Sequence, residues 1–362
     1  MQKLTYALIG CGRISPNHME AVMLLKDKLT LTALCDLLEE SLEECLNRVC
    51  GTFDNVKTYT DYKAMICEVK PDFVAIATDS GRHEEIGLFC MEQGCHVLIE
   101  KPVALSMSGA RALVAKSKEK GVVFAACHQN RFNKAIIAMR EAMEAGRFGK
   151  LHHGSAVMRW SRDESYYKQA PWRGTWEQDG GALMNQSIHN IDLLRWMMGD
   201  DIDEVMAYTD RMAHPYIEAE DLGLAIIKFS NGSYGLVEGT VNVYPHSLEE
   251  TLSIFGEKGT VRAAGNAVNL LDVWRFEGDN EQEAIENAFQ KTKNVYGQGH
   301  TPLYSDVVDA ILNNRPPLVD GEAGLRALEL VLAIYQSAKE GRPVSLPLGD
   351  FSTMDMLDTF KD

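Results

Sequence analysis

Asn185, His189 and Asp192 recur at spacings of four and three residues in the stretch GGALMNQSIHNIDLLRW, residues 180–196. In a helix these three polar side chains share one stripe, because successive residues rotate by about 100°. A soluble helix usually buries an apolar face. The stripe is therefore a solvated face, a hydrogen-bonded core network or one wall of an active site. An imidazole, with its ordinary pKa of about 6.5, could serve such a site as a general base.

A second group of residues suits a dinucleotide. The turn GCGRIS at 10–15 follows an apolar run and opens a helix-like segment. Gly10 permits a tight turn, and Gly12 lets the backbone approach a pyrophosphate at the helix N-terminus. Asp36 ends the next apolar run, where a carboxylate can bind the adenosine ribose and repel the extra phosphate of NADP. NAD is thus the expected cofactor, with Arg13 leaving NADP as the alternative. The expected contacts here are Gly10, Gly12, Arg13, Ile14 and Asp36.

The elements that must position these residues alternate between strand and helix in the first third of the chain. Strands are predicted at 4–10, 29–36, 56–59, 71–78, 96–100 and 122–127. Helices are predicted between them at 16–28, 41–49, 61–69, 83–93 and 106–120. Such βαβ units indicate a doubly wound parallel sheet. We therefore expect an α/β chain whose residues 1–127 form a Rossmann domain.

The pattern changes after Cys127. Asn231-Gly232 lies between two alternating apolar runs, which is a strong hairpin signal. Strands are predicted at 152–160, 205–209, 222–229, 233–241, 252–255, 260–263 and 273–276. Further helices are predicted at 133–145, 302–313 and 322–339. Residues 128–362 are therefore expected to form an α+β domain on a mostly antiparallel sheet, for substrate binding and oligomerisation.

Composition excludes several classes of function. The chain has 362 residues and a net charge of −16, which argues against nucleic acid and anionic membranes as partners. The sequence has no long apolar run and no signal-peptide pattern at its start, so the cytoplasm is the expected location. The eight cysteines lack zinc-site spacing, and no metal is expected.

Three motifs together resemble a known family. They are Glu100-Lys101-Pro102 after the fifth predicted strand, the loop 77–83, and the Gly-Gly helix start that precedes His189. They resemble the glucose–fructose oxidoreductase / inositol 2-dehydrogenase (Gfo/Idh/MocA) family. The resemblance implies an NAD-dependent dehydrogenase that acts on a CH–OH group and assembles as a homodimer or homotetramer. It implies Lys101, Asn185 and His189 as catalytic residues. It adds as cofactor contacts Thr78, Ser80, His83, Glu100, Lys101, Gln129, Trp172 and Arg173.

Longer stretches resemble one branch of that family, the UDP-N-acetylglucosaminuronate 3-dehydrogenases. They include residues 129–133, 171–194, 256–262, 295–300 (VYGQGH) and 320–338. This resemblance implies oxidation of the sugar C3 hydroxyl and a UDP-linked substrate. The expected substrate contacts are Lys101, Arg131, Tyr166, Asn185, His189 and His300.

The sequence leaves several alternatives open. A free sugar or inositol could be the substrate, and a non-catalytic NAD-binding regulator could use the same fold. Either Lys101 or His189 could be the base that takes the hydroxyl proton. Asp192 either supports the site or forms an i,i+3 salt bridge with Arg195.

Overall fold

The computed structural model describes residues 3–289 and 298–360, which divide into two compact units. The first unit comprises Met1–Ala104, Ser108–His128 and His300–Leu325, and the second comprises Leu105–Met107, Gln129–Gly299 and Arg326–Asp362. The predicted boundary after residue 127 stays a prediction, and the segment His300–Leu325 groups with the first unit. Residues 295–297 of the VYGQGH stretch lie outside the described residues.

The first unit is built on a six-stranded parallel sheet with strand order β3-β2-β1-β4-β5-β6, which is the Rossmann order. The strands are β1 (Leu4–Ile9), β2 (Leu29–Cys35), β3 (Lys57–Tyr59), β4 (Phe73–Ile76), β5 (His96–Ile99) and β6 (Phe124–Ala126). The helices are α1 (Ser15–Leu24), α2 (Glu39–Val49), α3 (Tyr62–Val69), α4 (His83–Glu92), α5 (Met107–Lys120) and, after the second unit, α10 (His300–Asn313). The predicted doubly wound sheet is confirmed.

Short apolar runs form these strands because helices cover a parallel sheet on both faces. All four residues of β4 are completely buried, and the last three of β5 are as well. Asp61 caps α3, since its side chain accepts the Lys63 N–H at 2.9 Å. Short 3-10 turns at Ser80–Arg82 and Gln129–Phe132 follow β4 and β6.

The second unit is built on an eight-stranded sheet with order β13-β12-β11-β7-β10-β9-β8-β14. Its strands are β7 (Leu151–Arg159), β8 (Ile202–Asp210), β9 (Leu222–Phe229), β10 (Tyr234–Thr240), β11 (Glu249–Gly256), β12 (Gly259–Ala264), β13 (Leu270–Phe276) and β14 (Val344–Ser345). The pair of β7 with β10 is parallel, and the other pairs are antiparallel. The predicted mostly antiparallel sheet is confirmed, including the β9–β10 hairpin.

The remaining helices are α6 (Lys134–Glu144), α7 (Glu164–Tyr167), α8 (Ile188–Met198), α9 (Glu281–Ala288) and α11 (Gly321–Glu340), with a 3-10 turn at Thr353–Met356. Helix α9 was absent from the sequence prediction, although Asn280 caps it by accepting the Glu283 N–H. No helix within residues 3–289 and 298–360 is both long and apolar enough to cross a membrane.

One face of the large sheet packs against α8, and the central strands β8, β9 and β10 carry large apolar side chains on the other face. This open sheet face is formed by Tyr208, Leu224, Ile226, Tyr234 and Leu236, all of which are exposed. Ile226 lies opposite Leu236 across the β9–β10 ladder, and Leu224 lies opposite Tyr208 across β8–β9. Contiguous apolar surface of this kind marks an interaction site.

Candidate active site

The dinucleotide loop has the backbone that a pyrophosphate requires. Gly10 has φ +95°, and a Cβ atom there would overlap the backbone of Ala77 and Thr78. At Gly12, by contrast, an added Cβ would meet no heavy atom within 4 Å, so this side of the loop is open. The loop leads into the N-terminus of α1, which favours an anion. Arg13 is exposed, and Ile14 is the N-cap residue of α1.

Asp36 lies directly beside this loop. Its Oδ2 accepts the Cys11 N–H at 2.7 Å, and its Oδ1 accepts the Leu38 N–H at 2.9 Å. The side chain is half-buried, and an ionised carboxylate has about four lone-pair sites, so acceptor capacity remains for the two ribose hydroxyls. The loop and Asp36 together fit NAD.

Replacing Asp36 by alanine is expected to raise the KM for NAD by roughly 10- to 100-fold, the usual effect of losing charge-assisted hydrogen bonds. The KM for NADP should fall relative to that for NAD, because the repelling carboxylate is gone. Initial rates with both cofactors measure this. Asp61→Ala is the matched control, because Asp61 likewise accepts a backbone N–H but lies on α3. Unchanged cofactor preference in Asp36→Ala would refute the assignment.

His83 ties together two backbone segments that the sequence analysis assigned to the cofactor. Its Nδ1 lies 2.7 Å from the Pro102 carbonyl oxygen, and its Nε2 lies 3.2 Å from that of Thr78. The ring is buried, and this burial lowers its pKa. A neutral imidazole has one N–H, so His83 donates to one of these carbonyl groups and lies beside the other, between the loop of Thr78 and Ser80 and the Lys101-Pro102 segment. Its predicted contact with the cofactor stays a prediction.

Glu100 lies in a buried polar cluster at the carboxyl end of β5. Its Oε1 is 3.1 Å from His18 Nε2 and 3.6 Å from His300 Nε2, while His18 Nδ1 is 2.6 Å from the Tyr304 hydroxyl. Although burial opposes ionisation, the two imidazoles hold the pKa of Glu100 well below its usual range. His300 is buried at the start of α10 beside Glu100, and its contact with the substrate stays a prediction.

The side chains of this cluster are also of types that can bind a metal ion. Donor atoms of His18, Glu100 and His300 lie within 4.8 Å of one another, and no second group of this kind occurs among the residues that the structure describes. Hydrogen bonding explains the shortest of these contacts, from His18 to Glu100 and Tyr304. The Glu100 Oε2 also accepts the backbone N–H of Lys101 at 3.3 Å. The cluster thus fixes the start of the segment that carries Lys101, whose own side chain is half-buried.

In the second unit, the stretch that begins at Gly180 forms a π-helical turn, Leu183–Ser187, followed by α8. The N–H groups at its start have buried partners: that of Ala182 bonds the Glu220 carbonyl at 3.0 Å and that of Leu183 bonds Glu220 Oε1 at 2.8 Å. Burial raises the pKa of Glu220 to about 8. The Tyr335 hydroxyl donates to the same Oε1 at 2.9 Å. Sequence reasoning missed Glu220, which anchors the start of the helix.

Asn185 and His189 are half-buried on this helix, while most residues around them are buried. Asn185 Nδ2 donates to Asp179 Oδ1, and Asp179 Oδ2 accepts the Gly174 N–H at 2.7 Å. A carboxylate from the preceding loop therefore lies beside Asn185. π turns are frequent at functional sites.

Asp192 is buried and forms two hydrogen bonds with Arg131, from Nε at 2.8 Å and from Nη2 at 2.5 Å. The Arg131 guanidinium also lies 4.7 Å from the Trp196 ring centroid. Arg131 therefore pairs with Asp192 through its Nε and Nη2 atoms, and its contact with the substrate stays a prediction. The salt bridge offered between Asp192 and Arg195 is wrong: Arg195 pairs with Glu329 at 3.2 Å.

The aromatic and basic loop before the helix brings other predicted residues together. The Tyr166 hydroxyl accepts hydrogen bonds from Arg173 Nη1 at 2.8 Å and from Gln186 Nε2 at 3.1 Å. The Arg173 guanidinium lies 4.5 Å from the Trp172 ring centroid. Gln129 lies in the same unit, buried in the turn Gln129–Phe132. Tyr166, Trp172 and Arg173 thus form one cluster, and Gln186 joins it from the π turn.

Comparison with known proteins identifies the family. Residues 4–128 match the model of the Gfo/Idh/MocA oxidoreductase family's NAD-binding Rossmann fold, and residues 140–346 match that of its C-terminal alpha/beta domain. The chain belongs to the Gfo/Idh/MocA family. The first unit is accordingly an NAD-binding domain, and the chain is an NAD-dependent dehydrogenase acting on a CH–OH group.

Relatives within the Gfo/Idh/MocA family differ in substrate. The WlbA dehydrogenases of Bordetella pertussis and Chromobacterium violaceum, both solved in complex with NADH and UDP-GlcNAcA, are each 35% identical to this chain. The first gives a TM-score of 0.87 over 96% of this chain and 99% of its own, and the second gives 0.88 over 96% and 97%. Myo-inositol 2-dehydrogenase of Thermotoga maritima is 26% identical over 94% of this chain and 97% of its own length.

Proposed function

We propose that this protein oxidises the C3 hydroxyl of a UDP-linked N-acetyl amino sugar acid, with NAD as the oxidant. The observation that carries the proposal is the 35% identity, over nearly the whole of both chains, to two dehydrogenases solved with NADH and UDP-GlcNAcA. The stretches that resemble this branch lie in both units, and they include the loop of Tyr166 and the π turn with its helix α8.

The residues of the site supply what alcohol oxidation requires of the protein. NAD, when bound, accepts the hydride. His189 is our proposed base for the hydroxyl proton, and Lys101 is the second proposed catalytic residue, since an ammonium stabilises negative charge that develops on an oxygen. Asn185, held by Asp179, is the side chain that we propose orients the sugar. Thr78, Ser80, Gln129 and Trp172 remain our proposed cofactor contacts.

A second candidate function is the oxidation of a free polyol, which the identity of 26% to a myo-inositol 2-dehydrogenase favours. The two candidates differ in whether the loop of Tyr166 has a nucleotide to bind. Free inositol has neither a carboxylate nor a diphosphate.

Initial rates of NADH formation with a panel of substrates test the proposal. The panel is UDP-GlcNAcA, UDP-GlcNAc, free N-acetylglucosaminuronate and myo-inositol, each with excess NAD. We expect kcat/KM to be highest for UDP-GlcNAcA by at least about 100-fold. Comparable or faster turnover of myo-inositol would favour the second candidate and overturn the first.

We also propose that the chain assembles as a homo-oligomer through the open sheet face. Its apolar side chains lie on three adjacent strands. In a dimer with a two-fold axis through this face, the same three strands of the second copy cover them. Interfaces of this kind resemble a protein core and are apolar.

Replacing Ile226 at the centre of this face by lysine is expected to weaken self-association by roughly 30-fold or more, the effect of losing an interface hot spot. Sedimentation velocity over a range of concentrations measures the change. Ile137→Lys is the matched control, because Ile137 is also exposed but lies on α6. A wild-type chain that sediments as a monomer, or an Ile226→Lys chain that assembles like wild type, would contradict the proposed interface.

A further inference from the structure

Arg162 and Arg173 are stacked in an alternating series of aromatic and cationic side chains. The Cζ atom of Arg162 lies 4.8 Å from the Trp160 ring centroid and 4.9 Å from that of Tyr166. The Cζ atom of Arg173 lies 4.6 Å from the Tyr166 centroid and 4.5 Å from that of Trp172. We call this series the arginine stack: Trp160–Arg162–Tyr166–Arg173–Trp172.

Neither arginine of the stack forms an ion pair with a carboxylate in the described part of the chain. Arg162 Nη1 donates to the Ser161 carbonyl at 3.0 Å, and Arg173 Nη1 donates to the Tyr166 hydroxyl at 2.8 Å. The Nε atoms of both side chains are buried and have no hydrogen-bond partner. The two positive charges share one aromatic ring, so they lie within about a Debye length of each other and repel.

Arg147, in the same unit, is a structural arginine that can be compared with the arginine stack. Its guanidinium also lies over two rings, 5.7 Å from the Trp274 centroid and 4.2 Å from that of Phe276. Unlike the stack, it is neutralised, because Asp279 accepts two hydrogen bonds from it at 2.7 Å. The chain has a net charge of −16, yet these two neighbouring arginines have no such carboxylate partner among the described residues. Their guanidinium groups can therefore bind an anionic ligand.

The arginine stack lies next to the segment that carries the proposed catalytic residues. Its central Tyr166 accepts a hydrogen bond from Gln186, which directly follows Asn185 in the π turn. A second link runs through Gly174, which follows Arg173 and donates to Asp179, the partner of Asn185. The stack therefore lies beside the segment that carries Asn185 and His189.

We propose that Arg162 and Arg173 form the subsite that binds the anionic group of the substrate, its sugar carboxylate. A guanidinium presents donors in a planar fork that matches a carboxylate, and each of the two guanidinium groups has two ring centroids within 4.9 Å that restrict its orientation. The aromatic side chains also exclude water, which strengthens the pairing. This subsite rests on the proposed function. It gives Arg173 a role toward the substrate, beside the predicted contact of Arg131, whose Nε and Nη2 atoms bond Asp192.

Isothermal titration of the NAD-saturated protein with UDP-GlcNAcA and with UDP-GlcNAc tests the subsite. The two ligands share the diphosphate and differ by the carboxylate. The variants are Arg162→Met and Arg173→Met, which keep the aliphatic stem between the rings. Arg147→Met is the matched control, and the thermal midpoint of each variant reports on folding. Arg173→Lys keeps the charge but loses the fork, so it should bind between wild type and Arg173→Met.

We expect either methionine variant to raise the Kd of UDP-GlcNAcA by about 10- to 100-fold and that of UDP-GlcNAc by less than about threefold. An equal rise in Kd for both ligands would contradict the assignment to the carboxylate, because it would mean that the two arginines bind the diphosphate instead. A Kd for UDP-GlcNAcA within about twofold of wild type in both variants would overturn the proposal and leave the stack a structural feature.

Turnover by the wild-type protein separates this test from that of the proposed function. If wild type oxidises UDP-GlcNAcA and both variants do so with unchanged KM, the subsite is wrong and the function stands. If wild type neither binds nor oxidises UDP-GlcNAcA, the proposed function fails, and the subsite for its carboxylate fails with it.

Discussion

His189→Ala is expected to lower kcat for UDP-GlcNAcA by about 100- to 10,000-fold, the contribution of a positioned general base. The KM should change much less, because the imidazole acts mainly on the proton that leaves in the transition state. Stopped-flow measurement of bound NADH in a single turnover isolates this step from product release.

His152→Ala is the control for the loss of an imidazole, because His152 is exposed on β7. The thermal midpoint of His189→Ala should stay near that of wild type, since His189 is half-buried at the surface of its helix. A folded His189→Ala protein with kcat within about threefold of wild type would remove His189 from the reaction and leave Lys101 as the base.

Gly181→Ala is expected to have the second large effect. An added Cβ at Gly181 would overlap the Glu220 carboxylate and its backbone carbonyl, and neither can retreat, because Glu220 is completely buried and bonded to Leu183 and Tyr335. Overpacking of this kind costs about 3 kcal/mol, which lowers the thermal midpoint by roughly 5–10 °C. The helix that carries Asn185 and His189 must also shift, so kcat should fall at least about tenfold.

Gly349→Ala is the matched control in the same unit, because an added Cβ there meets nothing within 4 Å and its φ is not positive. Differential scanning calorimetry compares the two variants. Equal thermal midpoints for Gly181→Ala and Gly349→Ala would show that Glu220 does not fix the start of this helix.

The sequence predicted the fold well where burial sets the pattern. Strands such as Phe73–Ile76 are short apolar runs because both faces of a parallel sheet are covered, and the turn at Asn231-Gly232 identified the β9–β10 hairpin. The return of His300–Leu325 to the first unit was not predictable in this way. A local pattern shows that a helix forms but not which unit it packs against.

For the polar residues, too, the local sequence does not show which partners they have in the folded chain. Arg131, Asp192 and His300 have the right types for a site, but their partners are set by tertiary structure: Arg131 pairs with Asp192, and His300 lies beside Glu100. Helical spacing allowed an Asp192–Arg195 bridge worth only about 0.2–0.5 kcal/mol, which a buried bidentate pair outweighs.

Arg162 and Glu220 were missed for a related reason. Nothing in the residue type of Arg162 separates it from a surface arginine. Its position among Trp160, Tyr166 and Arg173 in one loop was the available signal. Glu220 lies just before β9, where a buried carboxylate is unexpected until the close approach of Gly181 is known. The π turn that carries Asn185 was hidden as well, since a helix-period pattern assumes about 100° per residue throughout.

Transfer of deuterium tests the central claim most directly. UDP-GlcNAcA carrying deuterium at C3 is mixed with the protein and excess NAD, and the reduced cofactor is analysed by mass spectrometry. The account predicts deuterium in NADH from the C3-labelled substrate and none from substrate labelled at C2, C4 or C5. Deuterium arriving from any of those carbons, or no reduction of NAD with any of the labelled substrates, would contradict it.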